Sequence, residues 1–177
     1  NVLTKSRTDH LILLHLRHRL AERRACDGHG DLLADDVFCL DDGPRVLDCI
    51  EFDDGLRYGD TLADVAFLAM DLERLGRPDL GERFLRAYRE HADDTWPASL
   101  EHHHVAYRAQ VRAKVGAIRA AQGHEAAGDE ARRLLDISLQ HLEAGRVRLV
   151  VVGGLPGTGK STLARALGDA LGATVLR

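Results

Sequence analysis

The tightest constraint on this chain lies near its C-terminal end. There the apolar run Val147 to Val152, interrupted by Arg148, leads into Gly154-Leu155-Pro156-Gly157-Thr158-Gly159-Lys160-Ser161. A short run without helical period reads as a parallel strand buried on both faces. Glycines let backbone N–H groups approach a ligand where a Cβ would intervene. Such a loop, opening a helix with a positive N-terminal dipole, suits phosphate oxygens. In the spacing G-x-x-x-x-G-K-S, the lysine reaches the outer phosphates and the serine offers a hydroxyl to Mg²⁺. Gly154, Gly157, Thr158, Gly159, Lys160, Ser161 and Thr162 are therefore the expected nucleotide-binding residues, with ATP as the nucleotide and Ser161 as a Mg²⁺ ligand. Lysine otherwise occurs only as Lys5 and Lys114, so Lys160 stands out from an arginine-rich background.

The rest of the composition bounds the problem. A length of 177 residues, 45% of them hydrophobic, suffices for one domain or for one domain and part of another. A formal net charge of −4 supplies no general positive field for nucleic acid or an acidic membrane. No apolar run approaches the roughly 20 residues that span a bilayer. Cys26, Cys39 and Cys49 form no C-x-x-C pair, and an odd count without a signal peptide implies reduced thiols and a cytoplasmic setting. The chain opens without Met inside a helical pattern and stops just inside a strand-like segment, as a piece of a longer protein would.

Along the chain, Leu11, Leu14, Leu16 and Leu20 predict an amphipathic helix to about Arg24. Val37 to Leu40 and Arg45 to Phe52 read as two strands joined by a turn at Asp41-Asp42-Gly43-Pro44. Leu62, Val65, Ala69 and Leu72 mark one face of a helix from Asp60 to about Leu75, which Gly76 ends. A further helix runs from Asp79 to His91. A long one capped by Asp94-Thr95-Trp96-Pro97 carries Val111, Val115 and Ile118 and ends near Gly123. Glu125 to Glu130 reads as a connector, and Asp129 to Glu143 as a helix with Leu135, Leu139 and Leu142 on one side. The change of period at Arg146 places a boundary between residues 1–145 and 146–177.

A second constellation is His29-Gly30-Asp31-Leu32, with Asp36 five residues past Asp31, a hairpin, and Ile50-Glu51-Phe52. Phosphoryl transfer to a hydroxyl needs a carboxylate to orient the acceptor and take its proton, and oxygen ligands for Mg²⁺ on the phosphates. This order resembles the C-terminal lobe of the aminoglycoside phosphotransferase-like kinases, whose pattern is H-G-D-x-x-x-x-N, a hairpin, I-D-W/F, and G-D-x-x-x-D. The likeness covers about residues 10 to 120. It implies Asp31 as catalytic base, His29 as a support of the catalytic loop, Asp36 in place of the metal-binding Asn, and Glu51 in place of the metal-binding Asp. Asp48 is a rival to Glu51 for the metal. Gly59-Asp60 and Asp64 match the later acidic motif, in which the last Asp braces the catalytic loop. Asp48-Cys49-Ile50-Glu51-Phe52 and Tyr107-Arg108-Ala109 also resemble a bacterial two-domain family of phosphotransferase and ATP-binding proteins.

The resemblance implies an α+β chain. A mainly helical kinase-like C-lobe with a short β-hairpin, lacking its N-lobe, precedes a truncated α/β P-loop unit of the Walker A type. The implied activity is ATP-dependent phosphorylation of a small-molecule hydroxyl, with ATP and Mg²⁺ and neither nucleic acid nor membrane as partner. The alternative is a regulatory ATP-binding protein whose kinase-like lobe is a binding module. Three further features read first as structural: Glu101-His102-His103-His104 as solvated helix surface rather than a metal site, Trp96 as a hydrophobic anchor, and Arg108, Arg112 and Lys114 as a charged helix side, for which the alternative is an anion-binding face with Arg108 and Arg112 one turn apart.

Overall fold

The computed structural model describes residues 17–146, 149–171 and 175–176. The chain divides into two compact units, Asn1–Arg146 and Val147–Arg177. Most of the first unit is helical, with two small antiparallel sheets. No helix among the described residues is long and apolar enough to cross a membrane.

The first described element is helix α1, residues 17–20; Leu11, Leu14 and Leu16 of the expected amphipathic helix lie outside the described residues. Strand β1 (Ala25–Asp27) pairs antiparallel with β4 (Tyr58–Asp60), setting Cys26 opposite Gly59. Strands β2 (Val37–Leu40) and β3 (Gly43–Val46) form the hairpin, and its turn is only Asp41-Asp42. Pro44 sits in the strand facing Cys39, tolerated because a two-stranded sheet has only edges. The second strand was expected to reach Phe52, but it ends at Val46. Beyond the Val37–Val46 pair the partner strand is exhausted, and Asp48 turns the chain at φ 65°.

Helix α2 (Asp54–Arg57) is a single turn that leads into β4. Helix α3 (Thr61–Arg74) is the centre of the unit. Asp60 caps it by accepting from the Leu62 N–H at 2.9 Å, and Gly76 N–H to Glu73 O with Arg77 N–H to Leu72 O close its other end. More than one stripe is buried: Leu62, Ala66, Phe67 and Met70 are all at most 1% exposed. Burial of each large apolar side chain is worth about 1.5–3 kcal/mol. The helix packs against α4 (Pro78–Ala92), α5 (Ala98–Ala121) and α6 (Ala126–Ala144).

The last two helices form an antiparallel pair in which small residues set the distance. A Cβ on Gly116 would lie 3.1 Å from the Ala131 Cβ and 3.2 Å from the Ala127 carbonyl, so the backbones meet where larger residues would not fit. This closeness corrects two expected faces. On α5 the buried positions are Val105, Ala106, Ala109 and Ala113, while Val115 and Ile118 are exposed. On α6 they are Ala131, Leu134, Ile137 and Ser138, while Leu135, Leu139 and Leu142 are exposed. Helix α6 also begins at Ala126, inside the expected connector.

A buried charge network fastens α1 to this body. The Arg19 guanidinium donates to both oxygens of Asp60 (2.9 and 2.8 Å) and to both of Asp94 (2.6 and 2.9 Å). Burial opposes every charge here, yet the hydrogen bonds and mutual attraction prevail, raising Arg19 and lowering Asp94. Asp94 therefore serves Arg19 rather than capping α5, whose N-cap is Pro97. Trp96 is buried, donates to Glu101 at 2.7 Å, and lies under the Arg89 guanidinium, as a helix-start anchor should.

In the second unit, Val147 and Arg148 of the expected strand lie outside the described residues, as do residues 172–174 and 177. Residues 149–152 form no ladder among the described residues, and Leu149 and Val151 are more than four-fifths exposed. A strand needs a neighbour to take its N–H and C=O groups, and none is described beside this one. Helix α7 (Lys160–Leu171) follows the glycine loop as expected.

Candidate functional site

The segment from Gly28 to Asp36 is positioned by side chains of α3. Asp64 accepts from the His29 N–H at 2.7 Å with one oxygen and from the Gly30 N–H at 2.8 Å with the other. Two turns further along the same helix, Asp71, 1% exposed, accepts from the Ala34 N–H at 2.9 Å. Seven residues apart, these carboxylates share a helix face and hold the loop at two points. Leu32 is buried in the core between them. The bracing that the resemblance implies for Asp64 is present in these bonds, whereas Asp71 escaped sequence reasoning. Its signal was there: an acid seven residues after Asp64 in an otherwise apolar stretch.

Gly30 takes φ 85°, and a Cβ there would lie 2.9 Å from Ile50 Cδ1 and 3.1 Å from the Leu56 carbonyl. The loop is thus pressed against the segment after the hairpin. The Ile50 N–H donates to the His29 carbonyl at 3.0 Å. His29 Nε2 lies 2.7 Å from the Leu47 carbonyl, and since a carbonyl only accepts, this nitrogen carries the proton. His29 therefore ties the loop to the hairpin exit. Its Nδ1 is buried without a partner among the described residues. The Arg57 guanidinium adds a clamp from Asp27 to the Ile50 carbonyl, and the Asp27 carboxylate raises the Arg57 pKa.

Between the two fixed ends Asp31 stays half-exposed, with its carboxylate 3.6 Å from an Arg112 Nη. Asp36 closes the loop by accepting from the Leu33 N–H at 2.9 Å. Glu51 and Asp48 are both exposed, so neither is turned into the core. Along an extended strand Asp48, three residues before Glu51, would face the opposite side, but the turn at Asp48 breaks that alternation. No group of three or more His, Cys, Asp or Glu side chains converges as a metal site among the described residues. Asp31, Asp36 and Glu51 therefore do not form a ready three-carboxylate cage. A Mg²⁺ held by one or two carboxylates and substrate phosphates needs none.

Arg108 and Arg112 lie one turn apart on α5. Arg108 is half-buried, donates from Nε to the Ala63 carbonyl at 3.0 Å, and stacks its guanidinium 4.6 Å from the Phe67 ring centre. Burial lowers its pKa, against the attraction of Asp64 and Asp31. The expected charged helix side is thus a partly desolvated pair beside Asp31. The histidine run also departs from a solvated surface. His102 bonds His141 at 2.9 Å, His141 bonds Glu73 at 2.8 Å, and burial lowers His102 and His103 and takes His104 down to about 4. Burial and then Asp64 raise the Cys26 thiol, away from a nucleophile's range.

In the second unit the Gly153–Ser161 segment is shaped by its own backbone. The Leu155 carbonyl accepts from Thr158 Oγ1 at 2.8 Å and from Lys160 Nζ at 2.5 Å. Gly154, Gly157 and Gly159 all have positive φ. A Cβ on Gly154 would lie 3.0 Å from Thr158 Oγ1 and 3.7 Å from the Lys160 side chain, so these side chains fold close over the glycine. The Thr162 and Leu163 amides bond the Gly159 carbonyl, while Ser161 is exposed at the start of α7.

No protein-family model and no solved structure matches the chain. It is similar to the uncharacterized protein Rv2004c of Mycobacterium tuberculosis strain H37Rv, 55% identical over 158 residues, which are 89% of this chain and 32% of the relative. An uncharacterized protein of Mycobacterium bovis, Mb2027c, matches to the same extent. The chain spans about a third of the length of the curated relatives it matches.

Proposed function

We propose that this chain belongs to an ATP-dependent phosphotransferase in which residues 1–145 form the acceptor-side lobe of an aminoglycoside phosphotransferase-like kinase. On this reading residues 146–177 begin a separate P-loop nucleotide site. The observation that carries the reading is the loop from His29 to Asp36. Its amides are pinned by Asp64 and Asp71, while Asp31 at its middle stays half-exposed. A base must be held still and yet reach its substrate, and this arrangement does both.

Asp31 would accept the proton of an acceptor hydroxyl as its oxygen forms a bond to the γ-phosphorus of ATP, and the bond from that phosphorus to the bridging oxygen would break to release ADP. His29 holds the loop through Leu47. Asp36, and Glu51 or Asp48, would be the oxygen donors for Mg²⁺, which would supply charge neutralisation on the phosphates. Lys160, Ser161, Thr162 and the Gly154–Gly159 backbone would serve the second nucleotide. The alternative, a regulatory ATP-binding protein with a non-catalytic lobe, draws on the lack of a converged acidic cluster among the described residues.

The test uses the full-length protein. Asp31→Asn should abolish acceptor phosphorylation, because the amide keeps the shape and loses the base. Lys160→Ala should spare that step and remove nucleotide binding at the second site. Equal loss of both activities in each variant would refute two separate sites. Unchanged acceptor phosphorylation in Asp31→Asn would favour the regulatory alternative.

A further inference from the structure

Resting on the reading of Asp31 as the base, we infer that the acceptor is a hydroxyl compound carrying an anionic group, a carboxylate or a phosphate, that seats on Arg108 and Arg112. Arg112 reaches Asp31 at 3.6 Å, so whatever presents its hydroxyl to Asp31 lies beside this guanidinium. Arg108, one turn earlier on α5, spends one donor on the Ala63 carbonyl at 3.0 Å. A guanidinium has five N–H donors in a planar fork that matches carboxylate and phosphate oxygens. No carboxylate lies within ion-pair range of Arg108 among the described residues, and the Phe67 ring 4.6 Å away fixes its plane.

A half-buried cation with no carboxylate in ion-pair range is costly, and burial lowers its pKa despite the more distant Asp64 and Asp31. An incoming anion would offset that cost and form charge-assisted bonds. A polycationic amino sugar would meet the opposite situation, two guanidinium groups at the entrance to the base. The arginine pair therefore separates this acceptor from the aminoglycosides for which the resembling kinases are named.

The experiment has two arms on the full-length protein. The first presents matched sets of hydroxyl compounds, each set with a neutral, a cationic, a carboxylate and a phosphate member, such as glucose, glucosamine, gluconate and glucose 6-phosphate, and follows ADP release. An anionic member should be preferred in any set that reacts, and the better of carboxylate and phosphate names the source. Arg108→Gln and the more exposed Arg112→Gln should each raise KM for it by roughly tenfold, about 1.4 kcal/mol, with a smaller effect on kcat.

The second arm needs no turnover. Titration with inorganic phosphate, and separately with acetate, should shift the arginine side-chain ¹⁵N–¹H signals that vanish in Arg108→Gln and Arg112→Gln. Preference for a neutral or cationic member with KM unmoved in both variants, or no saturable shift with either anion, would overturn the inference and leave the kinase reading standing. Acceptor phosphorylation that survives Asp31→Asn would instead remove the base on which both rest.

Discussion

Two of the loops that turn on positive-φ glycine, His29–Asp36 and Gly153–Ser161, are shaped in opposite ways. The His29–Asp36 loop is held from outside, by carboxylates two turns apart on α3 and by the segment beyond the hairpin. The Gly153–Ser161 loop is held from within, its Leu155 carbonyl collecting the Thr158 hydroxyl and the Lys160 ammonium. The first loop's geometry is stored in distant residues and the second's in its own eight-residue motif. The first should therefore fail when α3 changes, and the second only when its own residues change.

The largest effect should come from Asp64→Ala. It leaves the His29 and Gly30 amides without their acceptor, at about 1–3 kcal/mol for each buried group left unpaired, so a loss of roughly 3 kcal/mol is expected in chemical denaturation. Asp64→Asn, which keeps one carbonyl acceptor, should lose about half as much. If Asp64→Ala unfolds at the wild-type midpoint, the loop is not held from outside and the contrast fails.

Next come two matched glycines. Gly30 and Gly159 have nearly equal φ, 85° and 82°, but a Cβ on Gly30 meets Ile50 and the Leu56 carbonyl, whereas one on Gly159 meets nothing within 4 Å. Gly30→Ala adds overpacking to conformational strain and should cost about 2 kcal/mol. Gly159→Ala should cost only the strain, about 1 kcal/mol. Equal destabilisation of the two variants would show that neighbours do not shape the first loop.

A smaller effect separates the units by pH. Burial holds folded His104 at about 4, below its ordinary 6.5, so the unfolded chain binds the proton first. The stability that this gives is fully present above about pH 6.5 and is lost as pH falls toward 4, by roughly 1–2 kcal/mol after allowance for partial exposure. Trp96 is the only tryptophan, so its fluorescence reports on the first unit. His104→Leu should flatten the dependence of its unfolding midpoint between pH 6.5 and 4, and an unaltered slope would assign the acid sensitivity to other groups.

Local signals carried much of this organisation. The start at Asp60 and the stop at Gly76 depend on hydrogen bonds within a few residues, so the sequence alone marked α3, and α4 with it, to within a residue or two. The glycine loop before α7 was legible for the same reason. So was the order of His29, Asp31 and Asp36, because they share one loop.

Tertiary structure decided what depends on partners far along the chain. Leucines at 135, 139 and 142 have perfect helical spacing yet face outward, because the close α5–α6 approach admits only small residues at its centre. The hairpin's second strand stops where its partner stops, and residues 149–152 form no ladder among the described residues, because extended backbone needs a neighbour that no local pattern supplies. Asp71 and Arg19 read as ordinary charges until the fold buried them against the amide and the two carboxylates that account for their positions. The charge on Arg108 followed from its residue type alone. Its burial against the Phe67 ring and the Ala63 carbonyl came only from the packing of α5 against α3.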